Sequence, residues 1–236
     1  MKNKSVLLNI LLAVVIVVLT IQLAEQQGRK AQEKIQQDKA LNNSNEATTK
    51  TGHRHHKPNA TLATIFKRKS VRNYTERKVS KKRLRILAKA GMAAPTAADK
   101  RPWAFIAITD RKTLDALGNA LPYAKMLKNA PAAIAVCGDL NKAISGDGQA
   151  YWIQDCSAAS ENILLAAESM KLGAVWTGVH PIKEREVTVR KILQLPNHII
   201  PLNIIAIGYP TGKETPKNKW DKSILHWEKW EETVKN

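Results

Sequence analysis

Apolar positions follow three different patterns along the chain. Residues 6–24 form one nearly continuous apolar run without a charge, whereas residues 25–60 are mostly polar and contain no aromatic residue. From Thr61 onward, short apolar runs alternate with stretches in which apolar residues recur every three or four positions, as in an amphipathic helix. The pattern therefore predicts three parts, at residues 1–24, 25–60 and 61–236.

The third part is predicted to alternate helices with strands. Apolar runs bounded by turn residues predict strands at residues 103–109, 132–137, 174–177 and 202–208. Helical spacing predicts helices ending near Lys67, following an N-cap at Ser80, and at residues 111–117, 123–128, 151–170 and 183–193. Gly173 is expected just past the C-terminus of the longest helix. An α/β or α+β fold follows, with helices covering a central sheet.

Residues 1–24 predict a membrane anchor. Lys2 and Lys4 precede about twenty uncharged residues, which at ~1.5 Å each span the roughly 30 Å hydrocarbon core of a bilayer. A cleaved signal peptide is the alternative, but Gln22 stands where a small residue would precede cleavage after Ala24. We expect a single-pass membrane protein anchored by residues 5–24. Basic residues flank both ends, so the side of the membrane stays open.

Residues 25–60 predict a disordered polar tether. They contain few aliphatic residues, so little apolar area is available to offset the entropy of ordering the chain. His53, His55 and His56 lie close together in this segment. Without a folded scaffold that would hold convergent ligands, these histidines do not predict a metal site.

Charge and cysteine content narrow the classes of function. The 236 residues include 38 basic and 20 acidic ones, a formal net charge of +18, which is typical of a protein that binds nucleic acid or a membrane surface. More than half of that charge, +10, lies in residues 61–89. The only cysteines are Cys137 and Cys156, which excludes a disulfide scaffold and a four-cysteine metal site.

Three motifs carry candidate chemistry. In the basic loop 68–72 (RKSVR), guanidinium groups flank a hydroxyl, and such groups bind phosphate through charge-assisted hydrogen bonds. Two prolines in residues 94–103 (APTAADKRPW) fix a turn that presents small and polar residues beside a strand. Residues 172–178 (LGAVWTG) combine a strand with glycines that let the backbone approach a ring. Together the motifs indicate a phosphate-bearing cofactor.

These motifs resemble those of the FMN-dependent nitroreductase family. Residues 68–74 resemble its basic-Ser-x-basic entry loop, and residues 94–103 resemble its Ala-Pro-Ser-x-x-Asn-x-Gln-Pro-Trp signature. Residues 172–178 resemble the segment that lies against the flavin. Residues 207–210, with Lys217 and Lys219, resemble the closing strand and phosphate-binding tail. The resemblance covers residues 61–230 in the same order.

The resemblance implies an α+β protein built as a three-layer α/β/α sandwich around a central mixed sheet. It also implies a homodimer that holds FMN at the subunit interface. The residues implied to bind FMN are Arg68, Lys69, Ser70, Arg72, Pro95, Thr96, Asp99, Arg101, Trp176, Thr177, Gly178, Lys217 and Lys219. Asp99 and Arg101 replace the family's Asn and Gln, which we interpret as a compensated swap; a plain surface ion pair is the alternative.

The resemblance further implies an enzyme. It would be a flavin-dependent oxidoreductase that passes a hydride from NAD(P)H through FMN N5 to a nitroaromatic, quinone or similar electron-poor acceptor by a ping-pong mechanism. No side chain is needed as acid, base or nucleophile, because the chemistry belongs to the flavin. His180 follows the flavin-facing segment and is expected to be structural or solvent-facing rather than to lie near the substrate.

Two alternative functions stay open. One is another redox role for a flavin-binding member of the family, such as dehalogenation or dehydrogenation. The other is a basic module that binds a membrane surface or nucleic acid through residues 67–89. Because aromatic residues do not interleave with that basic run, no nucleic-acid partner is expected.

Overall fold

The structure, a computed structural model, describes residues 59–230 and the single position Gln26. The chain divides into two units, residues 1–57 and 58–236, and the fold described below belongs to the second. The segment predicted to be an anchor, and nearly all of the predicted tether, lie outside the described residues. The division into residues 1–24, 25–60 and 61–236 stays a prediction.

The described chain alternates helices and strands in the predicted order. The elements are α1 (Ala60–Lys67), α2 (Lys81–Met92), β1 (Trp103–Ile108), α3 (Arg111–Ala120), β2 (Ala132–Asp139), α4 (Tyr151–Ser169), β3 (Gly173–Gly178), α5 (Lys183–Leu193) and β4 (Ile199–Gly208). The predicted N-cap of α2 is confirmed, because the Ser80 hydroxyl accepts a hydrogen bond from the Arg83 N–H at 3.3 Å. The predicted helix at residues 123–128 is instead a short 3-10 helix, Lys125–Lys128.

The four strands form one antiparallel sheet in the order β1-β2-β4-β3. The predicted mixed sheet is therefore wrong for the described strands, among which the one parallel contact is an isolated bridge between Ser70 and Ala174. The connection between β1 and β2 explains why these two strands pair in antiparallel orientation. Residues 121–131 bring the chain back along α3, so that Ala133 at the start of β2 pairs with Ile108 at the end of β1.

Helices cover both faces of this sheet, which confirms the predicted three layers. Ile134 and Ile205 share one buried cluster with side chains of α2 and α4. Ala135 and Ile204, their neighbours along the strands, belong to a second cluster with side chains of α3 and α5. Because successive side chains of a strand point to opposite faces, β2 and β4 are apolar at nearly every position.

No helix that the structure describes is long and apolar enough to cross a membrane. The longest, α4, has 19 residues, but it carries Asp155, Glu161 and Glu168 and buries one stripe rather than its whole surface. The predicted single-pass membrane location is corrected accordingly: none of the described helices can supply the membrane span. Residues 5–24, which prompted that prediction, lie outside the described residues.

The end of α4 differs from the prediction. The helix stops at Ser169, and the left-handed position after it is Lys171, with φ 57°. The Leu172 N–H then donates to the Ala167 carbonyl at 2.8 Å and closes the last turn. Gly173, expected as the cap, is instead the first residue of β3.

Candidate functional site

The entry loop, residues 68–72, is fixed against the start of β3. The Val71 N–H donates to the Ala174 carbonyl at 3.0 Å, and the Val71 side chain is only 1% exposed. A Cβ added to Gly173 would lie 2.5 Å from Val71 Cγ1, so only glycine permits this approach. The loop is thus held by a backbone hydrogen bond and by close packing on β3.

Two acidic residues of α4 pair with the first two cations of the entry loop. Arg68 Nε lies 3.1 Å from Glu161 Oε1, and Lys69 Nζ lies 3.2 Å from Glu168 Oε2. The side chains of both cations are mostly buried. Arg72, in contrast, is exposed, and its side chain lines a cavity.

That cavity, of about 580 Å³, brings two of the predicted motifs together. Its lining residues are Arg72, Pro122, Tyr123, Lys125, Met126, Asn129, Trp176, Thr177, Gly178 and Arg185. The volume is typical of a site for a small molecule or cofactor. A Cβ added to Gly178 would meet no atom within 4 Å, so the end of β3 borders open space. A guanidinium beside an accessible strand end fits a ligand that joins a phosphate to a flat ring.

A larger cavity, of about 720 Å³, lies elsewhere, and its lining includes Tyr74, Lys78, Lys81 and Lys128. None of the predicted cofactor-binding residues lines it. We therefore take the smaller cavity, which gathers Arg72 with the end of β3, as the candidate site and call it the β3 cavity.

Glu214 connects the entry loop to the segment after β4. Its Oε1 accepts hydrogen bonds from the Arg72 N–H at 2.9 Å, the Asn73 N–H at 3.0 Å and the Asn73 side-chain amide at 2.9 Å. Burial acts to raise the pKa of this carboxyl, but the hydrogen bonds outweigh it and hold the pKa below its usual range. Lys217 and Lys219 follow on the same segment; both are exposed, and neither lines the β3 cavity.

The loop that contains Pro95, Thr96, Asp99 and Arg101 lies away from the β3 cavity of its own chain. It is anchored on α4, where the Asp155 carboxylate accepts a hydrogen bond from the Ala97 N–H at 2.9 Å. Thr96 closes the loop, its hydroxyl oxygen accepting from the Arg101 N–H at 3.1 Å. None of the four predicted residues in this loop lines the β3 cavity.

Asp99 and Arg101 form an ion pair on the surface. Arg101 Nε donates to Asp99 Oδ1 at 2.8 Å, and this hydrogen bond lowers the pKa of the Asp99 carboxyl. Their side chains are 72% and 65% exposed, respectively. Both interpretations of the replaced Asn and Gln expect such a pair, so the compensated swap stays a prediction.

His180 has protein partners, as expected for a structural residue. Its Nδ1 lies 2.7 Å from Glu186 Oε1, and its ring packs edge-on against Trp152 with centroids 4.9 Å apart. The two cysteines are buried as well, and burial raises the pKa of the Cys137 thiol to about 12, so it is not a reactive thiolate. Within residues 59–230, no group of acidic, histidine or cysteine side chains is arranged to hold a metal ion.

Sequence reasoning missed three prominent residues of the β3 cavity: Tyr123, Lys125 and Arg185. Tyr123 lies in the turn after α3, Lys125 begins the 3-10 helix that follows it, and Arg185 lies in the first turn of α5. The Pro122-Tyr123 step after a helix was the available signal, because it marks an irregular turn that presents an aromatic side chain. Arg185 carried no such signal, since its neighbours in sequence are ordinary for an exposed helix.

Comparisons with known proteins point to one family. The sequence model of the nitroreductase family matches residues 65–122 and 119–209. A protein of Methanothermobacter thermautotrophicus, named as an NADH dehydrogenase/NAD(P)H nitroreductase, is 42% identical over 170 residues, which are 72% of this chain and 87% of that protein.

Solved structures agree. A crystal structure from Parabacteroides distasonis, with the same name, is 55% identical, with a TM-score of 0.69 over 73% of this chain and 99% of that one. A nitroreductase from Desulfovibrio desulfuricans, solved in complex with FMN, is 28% identical, with a TM-score of 0.63 and coverage of 73% and 99%.

Proposed function

This chain belongs to the nitroreductase family, and on that premise we propose how it works. It is an FMN-dependent NAD(P)H oxidoreductase that reduces a nitroaromatic, a quinone or a similar electron-poor acceptor. The observation that carries the proposal is the β3 cavity, where Arg72 of the entry loop and residues 176–178 of β3 line the same space. A relative solved with FMN supports the choice of cofactor.

The entry loop and the tail would hold the phosphate end of FMN. Arg72, Arg68 and Ser70 supply charge and hydrogen-bond donors for the phosphate and ribityl oxygens, and Lys69 contributes its backbone. Because Glu214 fixes the backbone at Arg72, it also keeps the tail beside the loop. Lys217 and Lys219 are then near enough in sequence to reach the same phosphate when the cofactor binds.

The end of β3 would hold the ring. Trp176, Thr177 and Gly178 lie along the cavity wall, and a backbone N–H there can hydrogen-bond to flavin N5. When bound, FMN would supply the redox chemistry, which is ping-pong hydride transfer from NAD(P)H to the acceptor through N5. The chain orients both ligands at one opening, and none of its side chains has to act as an acid or base.

We further propose that the loop carrying Pro95, Thr96, Asp99 and Arg101 serves the cofactor of a second subunit. In its own chain this loop is anchored on α4 through Asp155 and does not border the β3 cavity. In a two-fold homodimer, each chain presents the same surface to the other, so a loop remote from one site can complete its neighbour's site.

The test is the cofactor content of the purified full-length protein. We expect a yellow protein with a flavin spectrum that NADH or NADPH bleaches. Arg72→Ala should weaken FMN retention about tenfold or more, since a charged hydrogen bond to phosphate is worth about 1.5–3 kcal/mol. Arg85→Ala removes the same charge from an exposed position of α2 and serves as the control. A colourless protein that FMN does not reconstitute, or an Arg72→Ala protein as rich in FMN as the control, contradicts the proposal.

A further inference from the structure

Two cations of the β3 cavity remain after the residues proposed to bind FMN are accounted for. Arg72, Lys125 and Arg185 all line the cavity, and no acidic residue within residues 59–230 does. Arg72 belongs to the entry loop and is assigned to the FMN phosphate. Lys125 and Arg185 come from other elements, so the cavity keeps a positive potential that the cofactor does not need.

Arg185 is held in place by the cavity wall itself. Its Nη1 donates to the Gly178 carbonyl at 3.3 Å, and its Cζ lies 5.5 Å from the centroid of the Tyr123 ring. Because these contacts need no ligand, the guanidinium is already oriented when a ligand arrives, and less entropy is lost on binding.

Arg185 occupies a helix position that is unfavourable for a positive charge. It is the third residue of α5, in the first helical turn, where the helix dipole favours acidic side chains. Its neighbours Glu184 and Glu186 follow that preference, whereas Lys183 opposes it as Arg185 does but pairs with Glu186. Arg185 instead makes its contacts at the cavity wall, so its place in the helix is explained by the cavity and not by helix stability.

An exposed aromatic ring accompanies these cations. The Tyr123 side chain lines the cavity and is 73% exposed, although a tyrosine ring of this size is ordinarily at least half-buried. A ring that can stack, next to a guanidinium that can bind a carboxylate through two parallel hydrogen bonds, is complementary to a flat molecule with a negative charge.

We propose that Arg185, with Lys125 and Tyr123, selects an aromatic electron acceptor that carries a carboxylate. Arg185 and Lys125 bind the carboxylate, and Tyr123 stacks on the ring. This inference rests on the proposed function and names the substrate class for the same site. It makes Arg185 a specificity-determining residue that acts on the acceptor and not on FMN.

The experiment compares two acceptors that differ in charge, 4-nitrobenzoate and 4-nitrobenzamide, with the full-length holoprotein. Each turnover consumes one NAD(P)H and one proton and converts the nitro group to a nitroso group and water. We expect wild-type protein to favour the benzoate in kcat/KM. Arg185→Gln should lower kcat/KM for the benzoate about tenfold or more, because the charged hydrogen bonds to its carboxylate are lost, and leave the value for the benzamide within about twofold.

Matched variants keep the test independent of folding. Lys191→Gln removes a charge from the exposed face of the same helix and should change neither acceptor. Arg185→Lys keeps the positive charge but lacks the planar guanidinium, so it should retain part of the preference for the benzoate. Lys125→Gln should also reduce the preference, so the inference remains testable if Arg185→Gln does not fold.

The possible failures are distinguishable. The inference is overturned, while the proposed function stands, if Arg185→Gln lowers kcat/KM equally for both acceptors. It is also overturned if neither Arg185→Gln nor Lys125→Gln lowers kcat/KM for the benzoate. If the variants are reduced more slowly by NADPH but at the wild-type rate by NADH, the cations bind the extra phosphate of NADPH. That result overturns the inference too. A protein that takes up no FMN overturns the proposed function and the inference together.

Discussion

Glu214 shows how one side chain can join two parts of a site that are far apart in sequence. Its Oε1 accepts three hydrogen bonds from Arg72 and Asn73, more than 140 residues earlier in the chain. A carboxylate on backbone N–H groups is a strong, charge-assisted contact. It therefore fixes the entry loop at a point other than its contact with β3, and it holds the segment that carries Lys217 and Lys219.

This contact predicts a pH-dependent contribution to stability. The pKa of Glu214 is lowered in the folded state, so the stabilisation is fully present above the unfolded pKa, about 4.3, and disappears as the pH falls through the lower folded value. At neutral pH, Glu214→Gln should lower the free energy of unfolding by about 1 kcal/mol, because the residue is only half-buried. Urea titrations of both proteins between pH 7 and pH 3 measure the difference.

The control for this measurement is Asp147→Asn, which removes an exposed carboxylate from the loop before α4. It should change stability little at any pH. If the difference between wild type and Glu214→Gln were the same at pH 7 and pH 3, the lowered pKa would not be a source of stability.

Residue types and their order were sufficient to predict part of the site. Arg72 and residues 176–178 stand in motifs whose chemistry is visible in the sequence, and the structure places them around one cavity. Tyr123 and Arg185 could not be predicted in this way. They approach each other because α5 and the turn after α3 meet near the end of β3, and that meeting depends on the sheet order, which no local pattern encodes.

At the scale of elements, the two ends of β3 make different contacts. At its start, Gly173 packs on the buried Val71 of the entry loop. At its end, Gly178 borders the β3 cavity and accepts the hydrogen bond from Arg185. One strand of six residues thus positions both the entry loop and one wall of the β3 cavity.

An added methyl group is therefore expected to change protein stability at one glycine of β3 and not at the other. In Gly173→Ala, the new Cβ meets Val71 Cγ1 at 2.5 Å, and Val71 is too buried to move aside. We expect a loss of about 1–3 kcal/mol of stability, as for other overpacked sites, together with weaker FMN retention. Gly178→Ala is the control, since no atom lies within 4 Å of its Cβ, and without FMN it should melt at the wild-type temperature. Equal melting temperatures for the two variants would exclude the close packing as the reason for Gly173.

The end of α4 shows where a local rule identified the right motif at the wrong residue. A glycine after a helix usually takes the left-handed conformation, so Gly173 was the expected cap. The structure instead gives that conformation to Lys171, φ 57°. Leu172 then becomes buried, at 2% exposure, which stabilises the turn. Gly173 is needed two residues later, for a contact with Val71 that only the folded chain reveals.

At the scale of the whole molecule, the charge of +10 in residues 61–89 separates into distinct environments. Arg68 and Lys69 pair with acidic residues of α4. Arg77 lies over the Tyr209 ring at 4.1 Å, and Arg72 lines the β3 cavity. The prediction of an FMN-dependent NAD(P)H oxidoreductase is confirmed by the family match and the relatives. Net charge alone favoured a nucleic acid as the binding partner, because net charge ignores which of the charged side chains are already paired.

The proposed homodimer predicts that two defective proteins can restore each other. Arg72 lines the β3 cavity of its own chain, whereas the loop with Asp99 and Arg101 does not. If that loop completes the partner's site, a dimer of one Arg72→Ala chain and one Asp99→Ala/Arg101→Ala chain holds both defects in one site and none in the other. Random mixing makes half of the dimers mixed, each with one intact site, so about a quarter of wild-type activity should return.

The measurement is NAD(P)H-dependent reduction of 4-nitrobenzamide after the two purified variants are unfolded together, refolded with FMN and compared with each variant refolded alone. A mixture of Arg72→Ala with Gly173→Ala is the control. Both of those substitutions act within one chain's own site, so every mixed dimer keeps a defect in each site and no activity should return. No recovery in the test mixture would place the loop of Asp99 and Arg101 at the site of its own chain. Recovery in the control mixture would show that Arg72 or Gly173 acts across the interface, and would contradict the assignment of both to one chain's own site.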